Sequence, residues 1–338
     1  MDIAVARESR DTINVHQQVS RISSKMRKEA FVSRPNIKRS LTVLDSSPVV
    51  MSPDAPELGL EALDTLWLQV TGTLCNIACL HCFISCGPKN HQHEMLTVEQ
   101  VRNALAEAKK LGVREYYFTG GEPFLHPDIR ELITMTLEQG PLNILTNGIL
   151  IDEEMAIWLG ETFLTARYSL DLRVSLDGST AADNDKVRGK GTFNRIIAGI
   201  ERLARHGINP VITVTEVRPE MGQPQARTAF MEFVRSLGLN KPRLKFLTPF
   251  LIGREVRRTR GYTDDELLHE GDLFPGEEQK LQCSSCRMVT DDGIYPCPLL
   301  INVPGAKMGE TLVDGLQPIK LAWQPCYTCH IFGVTCST

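Results

Sequence analysis

Ten cysteines are spread unevenly through the 338-residue chain. Cys75, Cys79, Cys82 and Cys86 lie close together, and Cys283, Cys286, Cys297, Cys326, Cys329 and Cys336 follow after a long interval with none. Thiols in tight groups suit metal or redox chemistry better than a disulfide framework, which is a device of small secreted domains. Cys75, Cys79 and Cys82 form C-x3-C-x2-C. Sulfurs that close can wrap one corner of an iron–sulfur cubane and leave one iron open to bind a ligand and pass it an electron. The alternatives are a zinc knuckle completed by a distant ligand such as His81, and unrelated buried thiols. In the second group, Cys283-x2-Cys286 and Cys326-x2-Cys329 are hooks of a kind that also holds structural zinc.

The elements that must position these residues alternate along the chain. The pattern predicts strands over 65–71, 115–119, 142–145, 172–176, 210–215 and 243–247. After the first, Thr97 with Gln100 makes a capping box, and Val98, Val101, Leu105, Ala108 and Leu111 share a helical face that ends at Gly112. Ile129, Leu132 and Ile133 before Gly140, Phe193 to Leu203 before Gly207, and Phe230 to Leu237 before Gly238 repeat the pattern. Strand alternating with helix predicts a parallel α/β sheet with right-handed crossovers. Six units are too few for a closed eight-unit barrel, so the fold class is a partial (β/α)6 TIM-type barrel followed by a Cys-rich domain. The expected division is an extension over 1–60, the barrel over 61–255 and the Cys-rich tail over 256–338. Ligands of such sheets gather at the carboxyl ends of the strands, where Cys75, Gly120, Gly121, Asn147 and Asp177 fall.

Composition narrows the class. With 42% apolar and 23% charged residues the chain can bury a full core. Thirty-seven Lys and Arg against 41 Asp and Glu, net −4, give no general field for nucleic acid or an anionic membrane. The first twenty residues lack the apolar stretch of a secretory signal, and no run reaches the roughly 18–20 residues of a membrane span. A cytoplasmic location with no nucleic-acid or membrane partner is expected. Arg21, Lys25, Arg27, Lys28, Arg34, Lys38 and Arg39 face only Glu29 and read as a solvated arm, with a clamp for an acidic partner as the functional alternative.

Taken together and in order, three motifs resemble the radical S-adenosylmethionine superfamily: Cys75, Cys79 and Cys82; Gly120, Gly121, Glu122 and Pro123; and Ser175, Leu176, Asp177 and Gly178. The resemblance implies a [4Fe–4S] cluster on the three cysteines, with its open iron chelated by S-adenosylmethionine, and reductive cleavage to methionine and a 5′-deoxyadenosyl radical that abstracts a substrate hydrogen. It implies cofactor contacts from His81, Gly120, Gly121, Glu122, Asn147, Ser175, Asp177 and Arg188. Gly120 and Gly121 permit close backbone approach, Glu122 can accept from an ammonium, and the Arg188 guanidinium suits a carboxylate. Thr146 and Gly148 flank Asn147, where a plain turn is an equal alternative. Cys86 reads as a packed thiol, and could face the active site.

The second cysteine group resembles the SPASM and twitch extensions, which implies at least one auxiliary [4Fe–4S] cluster on Cys283 or Cys286 with Cys297, Cys326 and Cys329; Cys336 and His330 are further candidates. Gly253-Arg254 resembles the link into that extension. Six tail cysteines rather than seven, and Pro298 where some peptide-modifying relatives carry an acidic base, are departures. The expected function is oxidation of a small polar metabolite in natural-product biosynthesis, the auxiliary cluster accepting an electron and an external donor such as flavodoxin or ferredoxin supplying one. A peptide maturase, a redox-neutral epimerase or decarboxylase, and a non-catalytic zinc protein are the alternatives. Glu216, Arg218 and Thr248 are candidate substrate contacts.

Overall fold

The computed structural model describes residues 50–239 and 241–333; the basic stretch from Arg21 to Arg39 and Cys336 lie outside them. Strand β1 (Glu57–Leu58) is followed by β2 (Thr65–Gln69), helix α1 (Val98–Leu111), β3 (Glu115–Thr119), α2 (Ile129–Leu137), β4 (Leu142–Thr146), α3 (Glu153–Thr165) and β5 (Leu170–Ser175). Helices α4 (Ala181–Arg188) and α5 (Thr192–Arg205) lead to β6 (Val211–Thr215), α6 (Pro224–Ser236) and β7 (Arg243–Leu247). The tail adds β8 (Cys286–Thr290), β9 (Gly293–Tyr295), β10 (Ile319–Lys320) and α7 (Gln324–Phe332). All six expected strands are present, with limits shifted by at most two residues.

Strands β2 to β7 form a parallel arc in sequence order. In β2 to β6 the residues Leu66, Leu68, Phe118, Ile144, Leu172, Val174 and Ile212 are fully buried, as expected for strands covered by other elements. Helix α1 starts at the capping box and stops at Gly112, whose φ of 80° is the left-handed conformation that closes a helix. Helices α3, α4 and α7 were not among the helical faces expected. Residues around Arg188, read as a Gly-rich loop, begin as α4 because the Thr180 hydroxyl caps the Asp183 N–H, so Arg188 stands at a helix end.

The tail joins the same sheet. Strand β8 lies parallel to β2, Thr65 opposite Cys286, and β9 returns antiparallel beside β8, giving eight strands in the order β7-β6-β5-β4-β3-β2-β8-β9. Ahead of β2, β1 pairs antiparallel with β10, and Met51 bridges to Trp323. The tail is therefore fastened to the barrel by backbone pairing as well as by whatever its thiols bind. No described helix is long and apolar enough to cross a membrane.

Candidate active site and auxiliary cysteine site

Cys75, Cys79 and Cys82 lie on the loop after β2 and line one cavity of about 230 Å³ at the carboxyl ends of the strands. Gly120 and Gly121 after β3, Thr146 and Asn147 at the end of β4, Ser175 of β5, Thr213 and Thr215 of β6, and Thr248 beyond β7 complete its polar wall. The cysteine loop sits where it does because Gly121 lets the two loops touch. A Cβ there would come within 2.0 Å of the Leu74 carbonyl oxygen and 2.8 Å of Cys75 Cβ. Gly120, at φ 143°, likewise packs against Thr71. From the far side Arg254 grips the loop: its backbone N–H donates to Cys82 O, Nε to Cys79 O at 2.8 Å, Nη1 to Ser85 O at 2.9 Å and Nη2 to Cys86 O. That grip helps hold Ser85 at a φ of 56°, an unfavourable conformation for a non-glycine residue.

The thiols differ in acidity. A hydrogen bond from Cys86, aided by the Arg254 charge, lowers Cys82 to about 6, whereas burial pushes Cys75 up to about 12 and Cys79 to about 11. The latter two ionise only when something replaces their protons, as a metal does. Asn147 Nδ2 lies 2.7 Å from Asn76 Oδ1 and 3.9 Å from Cys75 Sγ, and Arg188 Nη1 lies 3.9 Å from Cys79 Sγ, so donors already surround the sulfurs. Buried His81 Nδ1 and Thr213 Oγ1, both on cavity-lining residues, and Asn76 Nδ2 have no protein partner. Three thiols with orphaned polar atoms around them fit a thiolate-held group carrying a polar ligand.

Two expected cofactor residues stand behind the wall. Asp177 is fully buried, with Oδ2 2.7 Å from His81 Nε2 and 2.7 Å from Arg188 Nε. The Nε–H is not aimed along the latter contact, so charge holds that pair more than a linear hydrogen bond does. Burial alone would raise the Asp177 pKa, but Arg188 and His81 together hold it below its ordinary value. Asp177 thus orients two residues that do line the cavity. Glu122, read as an acceptor for an ammonium, is also off the wall: Oε1 accepts from the Thr146 hydroxyl at 2.6 Å and Phe124 N at 3.2 Å, and Oε2 from Asn147 N at 2.7 Å. Its carboxylate is consumed in tying the β3 loop to the β4 loop. Of the candidate substrate contacts only Thr248 lines the cavity; Glu216 pairs with Arg227, and Arg218 with Asp183 at 2.9 Å. Cys86 lines the cavity, its thiol 3.7 Å from Gly120 O.

In the tail, Cys283, Cys297, Cys326 and Cys329 line one small hollow walled by Leu281, Leu299, Leu300, Ile319, Leu321 and Pro325. Cys326 and Cys329 are presented three residues apart on one face of α7, and Pro325 opens that helix. Cys286 does not line the hollow; its Sγ lies 3.6 Å from Pro296 O. Burial raises Cys297 to about 11 and Cys326 to about 12. Sulfurs of a tetrahedral zinc site, each about 2.3 Å from the ion, sit roughly 3.8 Å apart. Among the described residues no three cysteine sulfurs lie within 4.8 Å of one another, the only such ligand group being His93, Asp291 and Asp292. Four buried thiols around one hollow are a donor set that fits a four-iron cluster.

Residues 70–218 match the model of the radical SAM superfamily. The chain is 30% identical over 292 residues to a probable GTP 3′,8-cyclase of Methanosarcina mazei, a match covering 75% of this chain and 84% of that protein. The chain belongs to the radical SAM superfamily. Its cofactors are a [4Fe–4S] cluster and S-adenosylmethionine. It is also 33% identical over 180 residues to the mycofactocin maturase of Mycobacterium tuberculosis, covering 53% of this chain. Such a match spans only 44% of the maturase, less than half its length. Among solved structures, Streptococcus suis SuiB bound to its precursor peptide SuiA superposes with a TM-score of 0.57 at 15% identity, over 93% of this chain and 78% of that one. Native anSMEcpe with bound AdoMet gives 0.54 at 15% identity, over 74% of this chain and 79% of that one. These share the fold.

Residues that the sequence reading missed serve this radical SAM enzyme as supports. Arg254 was legible only as a linker, and Thr213 and Thr215 as anonymous strand positions. Their signal was positional: Thr215 closes the carboxyl end of β6, where this architecture puts its ligands, and Thr213 is two residues before it.

Proposed function

We propose that the protein is a radical SAM enzyme that oxidatively modifies a peptide, with Cys75, Cys79 and Cys82 holding the radical-generating cluster and Cys283, Cys297, Cys326 and Cys329 an auxiliary [4Fe–4S] cluster. When bound, these groups supply a carbon-centred radical able to take a substrate hydrogen and a place for the electron that an oxidised product must lose. The observation that carries the reading is the two separate cysteine-lined hollows, one at the carboxyl ends of the strands with three thiols in C-x3-C-x2-C and one in the tail with four. A sequence relative that matures mycofactocin and a fold neighbour bound to its precursor peptide favour a peptide over the small metabolite first expected.

The protein's own residues have separable tasks. Arg188, steadied by Asp177, offers a fixed cation at the cavity wall for an anionic group, and His81 lies beside it on the same carboxylate. Gly120 and Gly121 keep the floor free of side chains, while Thr213, Thr215, Ser175 and Asn147 supply hydroxyls and an amide for a polar ligand. Phe250, Pro249 and Thr248 form the side away from the β3 and β4 loops and are the proposed substrate contacts. A nucleotide-sized substrate is the second reading, favoured by the GTP 3′,8-cyclase match over most of both chains.

The test is anaerobic reconstitution, reduction, and assay of 5′-deoxyadenosine with either a pool of short peptides or a pool of nucleoside triphosphates. A peptide that raises the rate and loses two hydrogens supports the proposal. Stimulation confined to nucleotides, with no peptide altered in mass, transfers the assignment to the second reading. No S-adenosylmethionine cleavage by an iron-loaded protein would defeat both.

A further inference from the structure

Arg287, the second residue of β8, is among the largest fully buried side chains of the molecule. Its guanidinium donates to four backbone carbonyls: Nη1 to Cys283 O at 2.7 Å and Cys286 O at 2.6 Å, Nε to Gly315 O and Nη2 to Gln317 O at 3.2 Å. Among the described residues no carboxylate lies within 4.0 Å of it. The ionisable side chains near enough to act on its charge are the thiols of Cys286, Cys283 and Cys297. By contrast, Arg188 has Asp177, and the partly buried Arg258 and Arg260 have Glu255 and Glu266. A buried cation served by carbonyl dipoles alone is strongly unfavourable, so its missing counter-charge must come from the thiol site.

We infer that Arg287 is the internal counter-cation and positioning residue of the auxiliary cluster, an inference that rests on the cluster reading above. A cubane held by four thiolates carries a net charge of about −2 when oxidised, which supplies what the guanidinium lacks. The same side chain binds the carbonyls on either side of the Cys283 turn, so it fixes the direction of that ligand while its charge favours the reduced, more negative state of the cluster. The substrate-side cavity is not involved: Arg287 lies at the start of β8, level with Leu66 near the amino end of β2.

The experiment uses the full chain carrying Cys75, Cys79 and Cys82→Ala, so that remaining iron reports on the tail alone. Arg287→Met and Arg287→Lys are added separately, and iron and sulfide content, the EPR-monitored reduction potential and the melting temperature with and without cluster are measured. With Arg287 the tail retains about four irons. Arg287→Met is expected to shift the potential negative, and Arg287→Lys to restore most of it. Removing the cluster is expected to lower the melting temperature more with Arg287 than with methionine, because only the arginine chain is left with an unpaired buried cation. If Arg287→Met fails to load while Arg287→Lys loads at the unsubstituted potential, the charge assignment stands. An iron-loaded Arg287→Met with unchanged potential and an equal melting loss overturns the inference and leaves the cluster reading intact. Absence of iron from the tail of the triple-alanine chain overturns the cluster reading, and this inference with it.

Discussion

Asp177 holds Arg188 from beneath the cavity, Oδ2 to Nε 2.7 Å, with the carboxylate wholly enclosed. Removing one partner of such a pair leaves the other charge buried and uncompensated, which costs about 3–5 kcal/mol. Asp177→Asn should lose that much stability in urea unfolding and should weaken binding of S-adenosylmethionine. The depressed pKa sets the pH dependence: the contribution is present above the ordinary Asp value of 3.8 and is lost only as the solution falls below it. A loss under about 1 kcal/mol would mean that Arg188 finds another anchor.

Glu122 behaves in the opposite sense. Burial raises its pKa from 4.5 to about 7, so between those values the folded chain holds a proton that the unfolded chain releases. Stability must then fall as pH rises through this window, by about 3 kcal/mol in all, and be insensitive to Glu122 below it. Glu122→Gln should abolish that slope when unfolding is followed at several pH values, and an unchanged slope would place the titration elsewhere.

The Arg254 fork can be tested without touching a thiol. Arg254→Lys keeps the charge but cannot reach Cys79 O, Ser85 O and Cys86 O together. Outer residues that orient ligands typically matter 10–100-fold to metal affinity. Iron should leave the three-cysteine site faster under a chelator by roughly that factor, while tail iron is unaffected.

Cys283 and Cys286 separate the two possible ligand sets in the tail. Cys283→Ser should strip about four irons per chain, and Cys286→Ser should retain them, because only Cys283 lines the hollow. The reverse result in an iron assay would move the ligand to β8.

Two glycines give a steric check on the cysteine loop. Gly121→Ala drives a methyl into the Leu74 carbonyl and should cost about 1–3 kcal/mol and displace Cys75. Gly59→Ala, with nothing within 4 Å of the added carbon, should stay within about 0.5 kcal/mol in the same denaturation assay.

Local signals account for what the sequence made legible. The 115–119 and 243–247 strands and the Thr97 cap depend on residues a few positions apart, and all three stand as read. The carboxyl-end rule placed Cys75, Gly120 and Asn147 around one cavity for the same reason. What escaped was long-range. Pairing of Thr65 with Cys286 joins distant parts of the chain, and the tail has no periodicity that could announce it. Glu122 and Asp177 carry the right chemistry, but which way a buried carboxylate turns depends on neighbours such as Thr146 and Arg188 that only the folded chain brings close.

Strand β2 has β3 along one edge and β8 along the other, and the cysteine loop springs from its end. A truncation before Cys283 would therefore strip the barrel's seam bare, presenting unpaired N–H and C=O groups of a strand with an apolar Leu66–Leu68 centre to any other chain. Shortened versions should clump before they can be assayed, and evolution could not shed the tail without first re-covering that border.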